Sequence, residues 1–501
     1  MTRGLIIVAG TIALIAAGVW GASTWLGDAP REVTTTSEVA YESYQEGEGY
    51  VERYALEPAA AAFEAAVEAD STFAMAHLQL SGVLWQLGRR DDAQRHLERA
   101  VDLSAGVSEI ERMWIERTHA RYTDRPERVR EITAELAETH PEHPWVLRLL
   151  GEQARQRGEY RKALTAFERA LELDPEAVDI HNKKGYIYLG MGEYEKAVQS
   201  FQRYAFYAPD QANPHDSLGE AFFYTGQFEE ATREFLRALD IDPGFVWAGV
   251  HLADVLSVTG QVERAHRVLD ELEPVFEERG WSDWMAQQRM MIDLRADRWE
   301  AVLTRAKARI ARADSAKGRA DEFLLFAKFM RTMAFLELGR LDEARESIEP
   351  LAATSTELHD AIGDSPRYAE SERLHEALVR ARLGRAEGEP ARGIDALSTA
   401  IEEAESIGPH ELTFFRYELA RCQLADERPE EAAATVDAAL SEIPTLPRMN
   451  LLAARIAADL GRRDEALAHL RTHLEVMRYA DEGHPHVVQA QRMLQRLVPR
   501  S

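Results

Sequence analysis

The chain has 501 residues, more than one compact core usually holds, so it is either several domains or one extended repeat array. Apolar residues make up 45 % of it, with only 19 Pro and 30 Gly, which argues against wholesale disorder. The net charge of −27 repels phosphate backbones, so no nucleic acid is expected as a partner, and the single cysteine, Cys422, excludes an intrachain disulfide or a cysteine-rich zinc site.

Gly4 to Leu26 carries no charge. As a helix this segment is roughly 35 Å long, enough to cross a bilayer core. Trp20 and Trp25 sit near its distal end, where interfacial indoles are favoured. Residues 1–27 are therefore expected to form one N-terminal transmembrane helix, with a membrane contact through residues 4–26. The competing reading is a cleaved signal peptide with a poor cleavage site at Gly21-Ala22-Ser23. No Cys follows, which excludes a lipoprotein anchor. Arg3 precedes the segment, and Asp28, Arg31 and Glu32 bring no net positive charge after it. The positive-inside rule then places the repeat region outside the cytoplasm, in the periplasm of a bacterium. Ala9, Ala13, Ala17 and Gly21 form a small-residue face through which two anchors are expected to pair as a homodimer.

After a linker at 28–37, an N-terminal array spans 38–275. Gly47, Ala59, Phe63 and Ala66 form its first unit, and Leu84, Gly88, Ala93, Leu97 and Ala100 the next; a degenerate unit ends at Pro141. Three strong copies follow at a period of 34. The first reads Gly151, Gly158, Tyr160, Ala163, Phe167, Ala170 and Pro175. The second reads Gly185, Gly192, Tyr194, Ala197, Phe201, Tyr204 and Pro209. The third reads Gly219, Gly226, Phe228, Ala231, Phe235, Ala238 and Pro243. Ala253, Gly260, Ala265 and Leu269 make a fading copy. Residues 276–353 read as irregular helical repeats, with Trp299 in the place of Tyr160, before Phe335, Gly339, Ala344 and Ile348 resume the pattern. A polar stretch at 354–372 reads as a linker. A C-terminal array at 373–501 ends in a capping helix from His486 to Val498. Within it Ala420, Ala432 and Val436 match Ala454, Ala466 and Leu470 at the same period.

On these residues the chain resembles the tetratricopeptide repeat family, over nearly all of 38–475. The resemblance implies an all-α fold: an α-solenoid of about twelve helical hairpins. Gly151, Gly185 and Gly219 suit a close helix crossing, Ala163, Ala197 and Ala231 face them, and Phe167, Phe201 and Phe235 fill the space beside them. Gly158, Gly192 and Gly226 suit a left-handed turn, and the prolines end the second helices. The family binds proteins or peptides on a concave face lined by first helices. Here that face is expected to carry Trp145, Arg148, Arg155, Asn182, Tyr186, Asn213, Asp216, Glu220, Phe223, Tyr224, Trp247 and Asp254. The family's carboxylate clamp is not matched: its places hold Arg148, Glu152, Lys183, Asn213 and Ser217.

No catalytic machinery is legible. Walker and dinucleotide glycine patterns are absent, and His375-Glu376 lacks the second zincin histidine because position 379 is Val. His469, His473, His484 and His486 lie near one another in sequence, but no motif sets a carboxylate or cysteine beside them, so no metal and no cofactor are expected. His181 and His215 recur at equivalent positions, which points to packing. Glu229-Glu230 and Glu430-Glu431 open second helices, where they favour the helix dipole. Cys422, between Leu419 and Leu424, reads as a buried structural thiol. The expected function is a membrane-anchored scaffold or adaptor for protein partners, not an enzyme. The alternative is a sensory or regulatory ectodomain acting on a partner kinase or cyclase, since the N-terminal half resembles tetratricopeptide tails of bacterial receptor-like kinases and cyclases.

Overall fold

The computed structural model describes residues 33–498 except 53–54, 176, 317–320, 363–365, 405–406 and 409–410. The segment 4–26, expected as the anchor, lies outside the described residues. Among the described residues no helix is long and apolar enough to cross a membrane.

Twelve helical hairpins follow one another along the described chain, and the lone helix Pro485–Leu497 comes after the last. The hairpin Pro144–Gln156 with Tyr160–Leu173 shows why they form. Pro144 sits in the first turn, where its missing N–H is not needed. Gly158 adopts φ +73°, the left-handed state that glycine enters without penalty. This turn lets the Glu159 N–H reach the Ala154 carbonyl at 2.9 Å and the Gly158 N–H reach Arg155, a Schellman cap that ends the first helix. The chain then doubles back, and Phe167 lies across Gly151 so closely that a Cβ there would meet the ring at 2.8 Å. The same approach recurs at Gly185 with Phe201 and at Gly219 with Phe235.

A left-handed residue marks the turn of eleven hairpins: Gly88, Asp124, Gly158, Gly192, Gly226, Gly260, Asp297, Gly339, Gly388, Glu427 and Gly461. Their spacing explains where the sequence pattern fades. It holds at 34 from Asp124 to Gly260, lengthens from there to Glu427, where the second helices Trp299–Ala316 and Leu341–Ile362 have 18 and 22 residues, and returns to 34 between Glu427 and Gly461. The irregular stretch 276–353 is thus built of ordinary hairpins with extra turns. Most of 354–372, expected as a linker, is helix, shared between Leu341–Ile362 and Pro366–Glu387. The described part of the linker 28–37 is also tied down. The Thr34 N–H and hydroxyl donate to the two oxygens of the buried Glu111 carboxylate at 2.7 and 2.5 Å.

The chain divides into two compact units at Pro214 and His215. In the N-terminal unit the first hairpins share one continuous set of buried side chains, from Tyr44, Phe63 and Phe73 to Trp114 and Trp145, and a second set around Phe167 and Ile180 follows. The C-terminal unit also stacks hairpin on hairpin, but its two ends meet. The Thr445 hydroxyl donates to the Gly226 carbonyl at 2.8 Å. The Asp481 N–H donates to Gly260, and the Asp481 carboxylate accepts from the Glu263 N–H at 2.9 Å. Arg478 pairs with Glu229 beside them.

Candidate functional site

In the N-terminal unit, the residues expected on a partner-facing surface are largely taken up within the chain. Trp145 is buried edge-on against Trp114, with ring centroids 3.9 Å apart. Tyr186 is buried edge-on against Phe201, and Asn182 is buried beside it in sequence and helix. Asn213 donates to the Tyr204 hydroxyl at 3.2 Å. Arg155 is buried and holds Glu152 of its own helix at 2.7 Å. Arg148, partly exposed, reaches Asp179 on the next first helix at 2.7 Å, and Lys183 reaches the same oxygen at 2.8 Å. Burial alone would raise the Asp179 pKa; the two cations outweigh it and lower it to about 2.

The C-terminal unit repeats this use of the face. His251 donates to Asp216 at 2.7 Å and stands 3.9 Å from Glu220, all three buried. Burial disfavours a charged imidazole, but Asp216, Glu220 and Asp254 outweigh it and raise the His251 pKa to about 9. The three ligand atoms of Asp216, Glu220 and His251 lie within 4.8 Å of one another, a spacing that suits a divalent cation. The protonated imidazole already supplies positive charge there. Asp254 holds Arg295 of the next first helix at 2.6 Å. Phe223 and Tyr224 are half-buried, and Trp247 packs against Trp281 and Trp284. Thus Arg148 to Asp179, Asp216 to His251 and Asp254 to Arg295 each cross-link consecutive hairpins.

A second cluster was not visible in the sequence. Glu418, fully buried, accepts from Arg382 at 3.2 Å and from Arg385 and Arg421 at 3.1 Å. Glu337 takes Arg385 at 2.7 Å. Burial opposes the charge on Glu418, yet the three guanidiniums outweigh it and lower its pKa to about 2. Asp297 holds Arg448 at 2.9 Å and His486 at 2.7 Å. Burial is again overcome, and Arg448 and His486 keep its carboxyl well below the usual range. Asp297 stands where eight of the turns carry glycine and adopts φ +55°. Asp124 and Glu427 take the same conformation at their turns, so only the contacts of Asp297 set it apart.

The chain matches the family model described as "Tetratricopeptide repeat" over residues 148–216 and 378–447, and a second model of the same description over 74–99 and 451–472. The chain is a tetratricopeptide repeat protein. No curated protein matches it. Among solved structures, MamA residues 41 to the end from Desulfovibrio magneticus RS-1 is 22 % identical, with 32 % of this chain and 92 % of that one covered and a TM-score of 0.30. The APC/C hetero-tetramer Cut9-Hcn1 is 14 % identical over 97 % of this chain and 83 % of that one, TM-score 0.38. The P58(IPK) TPR domain is 17 % identical over 71 % and 99 %, TM-score 0.23. The repeat assignment rests on the family models and on the hairpins themselves.

Within this repeat protein the histidines singled out in the sequence all have protein partners. His181 stacks on Tyr207, His215 pairs with Glu234, and His469 bonds Asn450. His473 donates to the Pro447 carbonyl, and His484 accepts from the His486 N–H at the start of the last helix. Cys422 is fully buried, and burial pushes its thiol up to about 12, as befits a structural residue. Arg148, the one residue close in chemistry to the expected clamp, faces an internal carboxylate, Asp179. Two adjacent rings elsewhere are exposed: Phe206 is 78 % exposed and Tyr207 56 %, at the end of the second helix Tyr194–Tyr207, and Tyr479 stands exposed near the C-terminal end.

Proposed function

We propose that this chain is a scaffold that binds protein partners and performs no chemistry of its own. The observation that carries this reading is the succession of twelve helical hairpins among the described residues, with tetratricopeptide matches in both halves, an architecture whose repeats expose surface for partners once their apolar faces are stacked. In the N-terminal unit the contact is made by Phe206 and Tyr207, adjacent exposed rings of the kind that anchor interfaces, with Leu173 of the preceding hairpin also exposed. In the C-terminal unit, Phe223, Tyr224 and Trp247 are the half-buried members of the expected face. The test is capture of partners from detergent-solubilised membranes by the full chain and by a Phe206→Ala, Tyr207→Ala variant. Loss of a partner with helical content and melting unchanged supports the reading. Retention of every partner removes this surface from it.

The same reading includes the anchor. Segment 4–26 holds the chain to a membrane with the repeats on the extracytoplasmic side, and its small-residue face pairs two copies. Alkaline phosphatase fused after Ser501 should be active. An inactive phosphatase beside a glowing cytoplasmic fluorescent fusion would reverse the orientation.

A further inference from the structure

The C-terminal unit holds two adjoining clefts of opposite character where its ends meet. The first, of about 190 Å³, is walled mainly by rings and thioethers, among them Phe223, Met291, Phe414, Tyr417, Met449 and Met477. About 150 Å³ of apolar cavity already suffices for a benzene-sized guest. Methionine walls adapt to irregular apolar guests better than branched side chains do.

The second cleft, of about 400 Å³, shares Tyr417, Arg448 and His486 with the first. Its wall carries Arg385, Arg421, Arg448 and Arg455 against Asp297 and Glu337. Glu418 and Arg382 lie beneath, so five guanidiniums meet three carboxylates in a chain whose net charge is −27. The imbalance is not spread evenly. Arg385 and Arg421 share Glu337 and Glu418, and Arg448 holds Asp297. Arg455 is exposed and makes no ion pair among the described residues. The ring of Tyr417 connects the two clefts, with the Arg448 and Arg421 guanidiniums 5.0 and 5.7 Å from its centroid.

We propose that the C-terminal unit binds an amphipathic anion, its apolar chain among Phe223, Met291 and Phe414 and its carboxylate or phosphate head past Tyr417 at Arg448 and Arg455. Guanidiniums suit such heads because their forked N–H groups match two oxygens at once. A surplus of positive charge in a partly buried setting is screened less by salt than an exposed patch. The apolar cleft supplies affinity through burial, and the arginines select the charged end.

Isothermal titration of the full chain with decanoate and decyl phosphate, below their micelle concentrations, tests this, with decanol and inorganic phosphate as paired controls. Both amphiphiles should bind with one site and more tightly than either control. Arg455→Glu, on an exposed position, should weaken decanoate about tenfold and leave decanol unchanged. Met291→Trp, checked for folding by melting, should weaken decanoate and decanol alike. A preference between the two heads would name the source of the anion and support the site. Binding of inorganic phosphate as tight as that of decyl phosphate would overturn the role of the apolar cleft. Decanol binding equal to decanoate, unmoved by Arg455→Glu, would overturn the role of the arginines. No binding of either amphiphile would overturn both.

Discussion

In the N-terminal unit, the strong repeats hold Gly151 against Phe167 and Gly185 against Phe201, contacts made inside one hairpin and repeated in the next. In the C-terminal unit, Thr445 holds Gly226 across 219 residues, and Asp297 joins Arg448 and His486 across 151 and 189. The repeat template supplies the first kind of contact at every period. It says nothing about the second, which depends on residues that depart from it, such as Asp297 at a turn usually given to glycine. A solenoid unit can therefore be regular in every hairpin and still acquire a closure that belongs to none of them.

The largest expected effect breaks the closure side of this comparison. Glu418→Ala leaves Arg382, Arg385 and Arg421 to share Glu337 alone around a buried hole. Removing one partner of such a network costs about 3–5 kcal/mol. Calorimetry should show the C-terminal transition falling while the N-terminal one stays in place.

Acid and alkali act on the two units differently. Glu418, lowered to about 2, and Asp297, held below its usual range, contribute stability that is fully present above ordinary carboxylate values. That contribution is lost as pH falls from about 4.5 towards 2. The His251 contribution has the opposite sign: with its pKa raised to about 9 it is fully present below the free imidazole value, and it is lost as pH rises through about 9. Hydrogen exchange followed by peptide should show residues 411–425 and 446–459 opening in acid, and in the N-terminal unit the residues around Asp179, whose carboxyl is likewise lowered to about 2. Residues 215–258 should loosen in alkali.

A smaller effect targets the template. Gly185→Val drives a Cβ to within 2.4 Å of the Phe201 ring, and overpacking of this kind costs about 1–3 kcal/mol. The loss should appear in the N-terminal transition alone. Smallest of all, Arg169→Ala removes an exposed pair with Glu142 and Glu172. Such exposed pairs are screened by solvent and contribute little, so melting should hardly move.

How much of this was legible follows from separation along the chain. Gly, Ala, Phe and Pro at a fixed period announce hairpins because their partners lie within one period. Twelve hairpins and a final helix are therefore readable from the sequence. The lengthened helices 299–316 and 341–362 break the period without breaking the hairpin, which is why 276–353 reads as irregular and 354–372 as a linker. The expected residues were legible as members of first helices, but the contacts that bury or pair them within the chain were not. Asn182, Tyr186 and Asp216 lie on first helices as expected, and Tyr204, Phe201 and His251 belong to those contacts. Periodicity places a side chain on a helix; it does not say whether a charge one period away, such as Asp179 for Arg148, will reach it first. The arginine cluster was illegible for the same reason, since Glu337, Arg382 and Glu418 lie on three different hairpins with no shared motif.

The claim at the centre is that the C-terminal unit closes end to end. Spin labels at Gln227 and Ser441, two exposed positions flanking the Gly226–Thr445 contact, test it directly in the full chain, because Cys422 is buried and its thiol is held protonated. Double electron–electron resonance should give one narrow distribution at the short end of the accessible range, broadening when Asp297 is replaced by Gly. A long or broad distribution in the unmodified closure would contradict the account.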